Sequence, residues 1–251
     1  MPFKKEKQVV LIMGQAGHGK TTLTNRLLNT AWNTCAYDTG TTLPFIKSYI
    51  KKKNGCREII MEPYIDKRRA DIELSWLGVS KVCMHQKLIE TVRWEVTNDT
   101  ITHLKLNEKY DTITFVDLMG IGDSILTNEH YNKIYREFAT YATQIIWVTD
   151  ACRRGYLEDI KTLKYIYKIL RNINKIIICL NKVDAIAKEK DQELSDAPTQ
   201  YQQNIIREKI IDVFGYFSKI FSNDLLTIKD IIPLSAKTGW NFEALQGLFF
   251  I

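Results

Sequence analysis

Val9-Val10-Leu11-Ile12-Met13-Gly14-Gln15-Ala16-Gly17-His18-Gly19-Lys20-Thr21-Thr22-Leu23-Thr24-Asn25-Arg26-Leu27-Leu28 reads as a buried strand, a glycine-rich turn and a helix. Residues 14–21 fit G-x-x-x-x-G-K-[ST] at every fixed position. A strand that turns through glycines into a helix leaves several backbone N–H groups aimed at one point, at the positive end of the helix dipole. That geometry cradles a di- or triphosphate. Gly14, Gln15, Ala16, Gly17, His18, Gly19 and Thr22 would form the cradle. Lys20 would bridge the β- and γ-phosphates, and the Thr21 hydroxyl would ligate Mg²⁺. The alternative, a turn without a ligand, fits less well because the flanking strand and helix are those the motif requires.

Three later segments bear on which nucleotide is bound. Thr112-Ile113-Thr114-Phe115-Val116 reads as a buried strand ending in Asp117-Leu118-Met119-Gly120. Ile176-Ile177-Ile178-Cys179-Leu180 is another, ending in Asn181-Lys182-Val183-Asp184. Ile231-Ile232-Pro233-Leu234 precedes Ser235-Ala236-Lys237. In the same order along the chain, these resemble the D-x-x-G, N-K-x-D and S-A-K elements of P-loop GTPases, from Val9 to about Leu248. Each motif is short, and it is their order behind apolar strands that carries the resemblance.

The chemistry explains the residue types. Guanine presents N1–H and N2–H₂ as adjacent donors, and one carboxylate accepts both. Asp184 is placed to do so, each charge-assisted bond contributing roughly 1.5–3 kcal/mol. Adenine would set a lone pair against that carboxylate and leave a buried charge unpaired. The resemblance further implies that Asn181 ties the phosphate loop to this segment and that Lys182 lies along the base. It also implies that the Ala236 N–H, between Ser235 and Lys237, meets the guanine O6.

By the same resemblance, Asp117 holds Mg²⁺ through water and the Gly120 N–H contacts the γ-phosphate. Losing that phosphate would free the loop from Gly120 to about Asn128, which is how such proteins switch. Thr39, Thr41 and Thr42 lie where the family places a second switch contact; Thr41 or Thr42 is favoured, and sequence does not choose between them. With Thr41 in that role, the catalytic set is Lys20, Thr41 and Gly120, and the metal set is Thr21, Thr41 and Asp117. Many relatives carry glutamine after the D-x-x-G glycine to orient the attacking water, where this chain has Ile121. Potassium-activated relatives have asparagine at the position of Gly17. Slow intrinsic hydrolysis is therefore expected, on the order of 10⁻⁴ s⁻¹.

The implied fold class is α/β, the small G domain of P-loop NTPases. It is expected to have a mostly parallel six-stranded sheet with helices on both faces, one antiparallel strand, and an insertion between switch I and a hairpin. The 251 residues, 45% apolar, suit a single G domain over 1–251. Expected helices run from Glu129 to Ala142, Leu157 to Arg171, Gln200 to Phe221 and Asn241 to Phe249. Expected strands include Ile145 to Val148 and Ile228 to Pro233. Leu104 to Leu106 and Ile113 to Val116 read as the antiparallel hairpin. Residues 44–100 exceed what a compact G domain needs there. They read as an insertion with a helix near Met84 to Val92, serving either partner recognition or cover of the sheet edge.

Five scattered cysteines, among them Cys152 and Cys179, show no metal-type pairing and read as reduced thiols. The start, Met1-Pro2-Phe3-Lys4, has no secretory pattern, and no apolar run is long enough to span a bilayer, so a cytoplasmic location is expected. Net charge is +6. Lys51-Lys52-Lys53 and Lys67-Arg68-Arg69 would suit contact with RNA or a membrane surface, or simply a solvated loop, with Glu58, Glu62 and Asp66 diluting the field.

Asp117 to Ser124 and the segment Tyr131 to Ala151 are similar to Era-like GTPases, above all to the bacterial YfjP-like predicted GTPases, with Met119 where those have proline. Era adds an RNA-binding KH domain that this stretch does not match, so its ribosomal RNA binding is not carried over. The resemblance implies guanine nucleotide (GTP/GDP) and Mg²⁺ as ligands and either a protein partner or a homodimer. Two functions follow: a slow GTP hydrolase acting as a switch, or a GTP-dependent dimerisation and assembly module with incidental hydrolysis. An ATP-using kinase is a third, opposed by Asp184.

Overall fold

The run Val9 to Met13 becomes the carboxyl-terminal part of a strand because a sheet covered on both faces demands apolar residues in unbroken series rather than alternation. The computed structural model describes residues 6–28, 45–51, 57–63, 92–96, 110–118, 120, 129–170, 173–186 and 198–249. The strands are β1 (Glu6–Met13), β2 (Phe45–Lys51), β3 (Arg57–Pro63), β4 (Val92–Val96), β5 (Tyr110–Asp117), β6 (Gln144–Asp150), β7 (Lys175–Asn181) and β8 (Ile231–Pro233). The helices are α1 (Lys20–Leu27), α2 (Glu129–Tyr141), α3 (Leu157–Tyr167), α4 (Gln200–Phe217) and α5 (Phe242–Gln246).

All eight strands form one sheet in the order β4-β3-β2-β5-β1-β6-β7-β8. β5, β1, β6, β7 and β8 run parallel. Their register aligns Ile12 with Asp117 and Asp150 with Asn181, so the carboxyl ends of β1, β5, β6 and β7 finish side by side. In open α/β sheets that edge is where ligands bind.

Alternate residues of each central strand enter different cores. Leu11, Met13, Ile145 and Trp147 pack with Tyr135 of α2, Leu163 and Ile166 of α3, and Val213 and Phe217 of α4. Val10, Ile12, Ile146 and Val148 pack on the other face with Leu23 and Leu27 of α1 and Phe242 and Leu245 of α5. Helices therefore cover both faces, as expected. α4 begins at a capping box: Thr199 Oγ1 accepts from the Gln202 N–H at 3.3 Å, and Gln202 Oε1 accepts from the Thr199 N–H at 2.8 Å. Among the described residues, no helix is long and apolar enough to cross a membrane.

Two expectations are corrected. The sheet has eight strands among the described residues rather than six, and β2, β3 and β4 make three antiparallel pairings, with β5, β2 and β3 respectively. The antiparallel neighbour of β5 is β2, with Phe45 opposite Asp117 and Ile50 opposite Thr112. With β1 on the other edge of β5, residues 113–116 have no edge left for Leu104 to Leu106, which lie outside the described residues. β2 pairs along β5 although far from it in sequence, since the entropic cost of closing a longer loop grows only slowly. Part of the stretch 44–100 is thus sheet: β2, β3 and β4 widen it by hydrogen-bonded strands. The helix expected near Met84 to Val92 lies outside the described residues, apart from Val92, which opens β4.

Candidate functional site

The turn after β1 is held by backbone and side chain together. Gly19 caps α1 with φ 89°, a left-handed conformation, and a Cβ there would lie 2.5 Å from Asn181 Nδ2. Gly120 lies against the same loop: a Cβ on it would sit 2.5 Å from Ala16 Cα and 2.8 Å from the Ala16 nitrogen. The D-x-x-G glycine thus meets the turn backbone to backbone. Ala16 and Gly17 are exposed at the rim, Gln15 is half-buried, and Thr22 is exposed on the first turn of α1.

Lys20 is buried, and its Nζ donates to Gly14 O at 3.0 Å and Gln15 O at 2.9 Å. Desolvation pushes its pKa down to about 8, against the attraction of Asp117. Asp117 ends β5 fully buried, and Thr21 lies buried one residue beyond Lys20. A threonine hydroxyl and one carboxylate are hard oxygen donors of the kind that bind Mg²⁺ alongside phosphate and water. Among the described residues, no group of three or more His, Cys, Asp or Glu side chains is arranged around a metal position.

His18 turns its ring inward. Nδ1 lies 3.2 Å from Val148 O, and Nε2 lies 3.5 Å from Arg153 Nη1. A carbonyl only accepts, so these partners assign the proton to Nδ1. Burial lowers the His18 pKa to about 4; the Val148 bond opposes this and the nearby Arg153 charge adds to it. The imidazole is accordingly neutral at physiological pH. Arg153 Nη1 also pairs with Asp159 Oδ2 at 3.2 Å, and Asp159 Oδ1 accepts from Trp147 Nε1 at 2.9 Å.

The segment after β7 joins this loop to the segment after β8. Asn181 is buried; its Nδ2 donates to His18 O at 2.8 Å and its Oδ1 accepts from the Ala236 N–H at 2.9 Å. Lys182 adopts φ 65°, and its Nζ pairs with Asp150 Oδ2 at 2.7 Å. Burial opposes the charge on Asp150, yet the Lys182 ammonium and the Cys152 N–H hold its carboxyl below the usual range. Asp184 lies in the 3₁₀ turn Val183–Ala185, and its Oδ1 is buried with no donor among the described residues. Ser235 is buried and its Oγ accepts from the Thr238 N–H at 3.0 Å, while Lys237 is exposed. The Ala236 N–H, which the resemblance directs to guanine O6, is here donated to Asn181.

The structure therefore brings the phosphate-loop residues, Asp117, Gly120, Asn181 and Ala236 to the carboxyl edge of the sheet, with Lys182 and Asp184 continuing from Asn181. Thr39, Thr41, Thr42 and Ile121 lie outside the described residues. Arg26, Asp150, Arg153 and Asp159 were not singled out from sequence. Arg26 contacts a residue 210 positions away and Arg153 one 135 positions away, and no local spacing announces such pairs.

Among solved structures, the chain is similar to Era in complex with MgGDPNP and a 16S ribosomal RNA segment, with a TM-score of 0.54 and 18% identity over 97% of this chain and 55% of that one. It is also similar to an Era variant from Aquifex aeolicus bound to GDP·AlF₄⁻, with a TM-score of 0.53 and 17% identity over 98% of this chain and 57% of that one. The chain spans little more than half the length of either. At these identities the likeness is one of fold, and it places the chain among proteins with an Era-like P-loop fold. No protein-family model and no curated protein sequence matches it.

Proposed function

We propose that this chain is a guanine-nucleotide switch that binds GTP, hydrolyses it slowly to GDP and alters its contacts with a partner as the γ-phosphate is lost. The observation that carries this reading is Asp184 Oδ1, a buried carboxylate oxygen with no donor among the described residues, just beyond Asn181, which bonds to the phosphate loop. Leaving such a group unmatched is unfavourable, and the paired donors of guanine match it. The Era-like fold supports the same reading.

Lys20 gives up the Gly14 and Gln15 carbonyls for the β- and γ-phosphate oxygens, a short move for a flexible ammonium. Thr21 and Asp117 would hold Mg²⁺, which neutralises charge on those oxygens when bound. The Gly120 N–H senses the γ-phosphate from beside Ala16. With Ile121 unable to orient water, turnover stays low until a partner supplies that function. Within this reading the chain is one cytoplasmic G domain of YfjP-like type over 1–251, with residues 44–100, which carry β2, β3 and β4, as its insertion.

Calorimetry with Mg²⁺ present tests the reading. GDP and GTP should bind and ADP should not. Asp184→Asn should lose at least about tenfold in GDP affinity while gaining affinity for the xanthine nucleotide. Binding of ADP in preference to GDP would overturn it.

A further inference from the structure

Arg26 lies on α1, six residues beyond Lys20 and so roughly 9 Å along the same rigid helix. It reaches out of that helix to the loop after β8. Its Nε donates to Ala236 O at 2.7 Å and its Nη2 to Lys237 O at 2.7 Å. The guanidinium stands 5.9 Å from the ring centroid of Phe242, and a Cβ on Gly239 would collide with it. On the other side of the same loop, the Ala236 N–H donates to Asn181 Oδ1 at 2.9 Å. Residue 236 is thus held at both ends, its amide by Asn181 and its carbonyl by Arg26. A planar fork with donors at fixed angles suits two successive carbonyls, which a single ammonium cannot span. Because the peptide is planar and trans, drawing Ala236 O toward α1 also turns the Lys237 N–H away from it.

We propose that Arg26 is a positioning residue for base recognition. By anchoring the carbonyls of residues 236 and 237 to the helix that opens with Lys20, it sets the peptide planes presented to the base and makes base and phosphate binding interdependent. This inference rests on the guanine reading above.

Dissociation of a fluorescent GDP and the affinity for inorganic pyrophosphate, measured on the same proteins, test it. Arg26→Gln should release GDP about tenfold faster, the size of one charge-assisted hydrogen bond, while pyrophosphate affinity stays within about twofold of the parent. Arg26→Lys, which keeps the charge but replaces the planar fork with a single ammonium, should fall between the parent and the glutamine variant, and it carries the same comparison if the glutamine variant does not fold. Unchanged GDP release would overturn the proposal. So would equal losses for GDP and pyrophosphate, since Arg26 would then merely support α1. A parent protein that binds pyrophosphate but no GDP would instead refute the guanine reading, and the proposal with it.

Discussion

Lys20 is where burial and charge oppose each other most directly. Its ammonium is desolvated among backbone carbonyls, and its pKa falls to about 8. A bound phosphate favours the charged form, so nucleotide affinity is linked to the proton on Lys20. Below about pH 8 the free protein already carries that proton, and affinity should be level. Above it, binding must take up the proton, and affinity should fall by up to about tenfold per pH unit. Titrations between about pH 7 and 9.5, in buffers of different ionisation enthalpy, check this; level affinity and no proton uptake at the alkaline end would refute it. At this scale Lys20, Thr21 and Asp184 stand out in sequence as candidates because the phosphate and guanine motifs each set one residue type at one local spacing. Arg26 and Arg153 were not, since an arginine serves equally well on any solvated helix or loop.

At the scale of elements, the corner between β6 and α3 carries a small buried network behind the phosphate loop. Trp147 on β6 donates to Asp159 in the first turn of α3, and Arg153 between them pairs with the same carboxylate. Burial raises the Asp159 pKa despite the Trp147 bond and the Arg153 charge, yet both oxygens have partners. Asp159→Ala would leave an indole N–H and a partly buried guanidinium without that acceptor. It should destabilise the fold by about 1–3 kcal/mol, chiefly through the unsatisfied indole N–H. Asp159→Asn, still able to accept from Trp147, should lose less. Urea unfolding of the two variants measures the difference, and an alanine variant as stable as the parent would show the network to be dispensable. Apolar runs located β1, β5, β6 and β7, because strands covered on both faces have no other composition. Pairing was the weaker inference. The segment nearest β5 in sequence reads as its hairpin partner, whereas β2 holds that edge across more than fifty intervening residues.

For the molecule as a whole, the segments that follow β1, β5, β7 and β8 meet at one edge of one sheet. On the switch reading, hydrolysis per molecule should be independent of protein concentration. A rate measured from sub-micromolar to tens of micromolar protein, roughly a hundredfold range, checks this. A steep rise would favour the assembly module, in which a second copy completes the site. The sequence by itself determined the type of fold and the place of the glycine-rich turn at the end of β1, because a strand–helix turn of that composition is a local pattern with few other uses. Only the tertiary structure decided that β2, β3 and β4 extend the sheet, that Asn181 joins the phosphate loop to residue 236, and that Arg26 clamps that residue from the opposite side. Those arrangements depend on contacts between distant residues. Closing a longer loop adds only slowly to their entropic cost, so spacing along the chain leaves no mark of them.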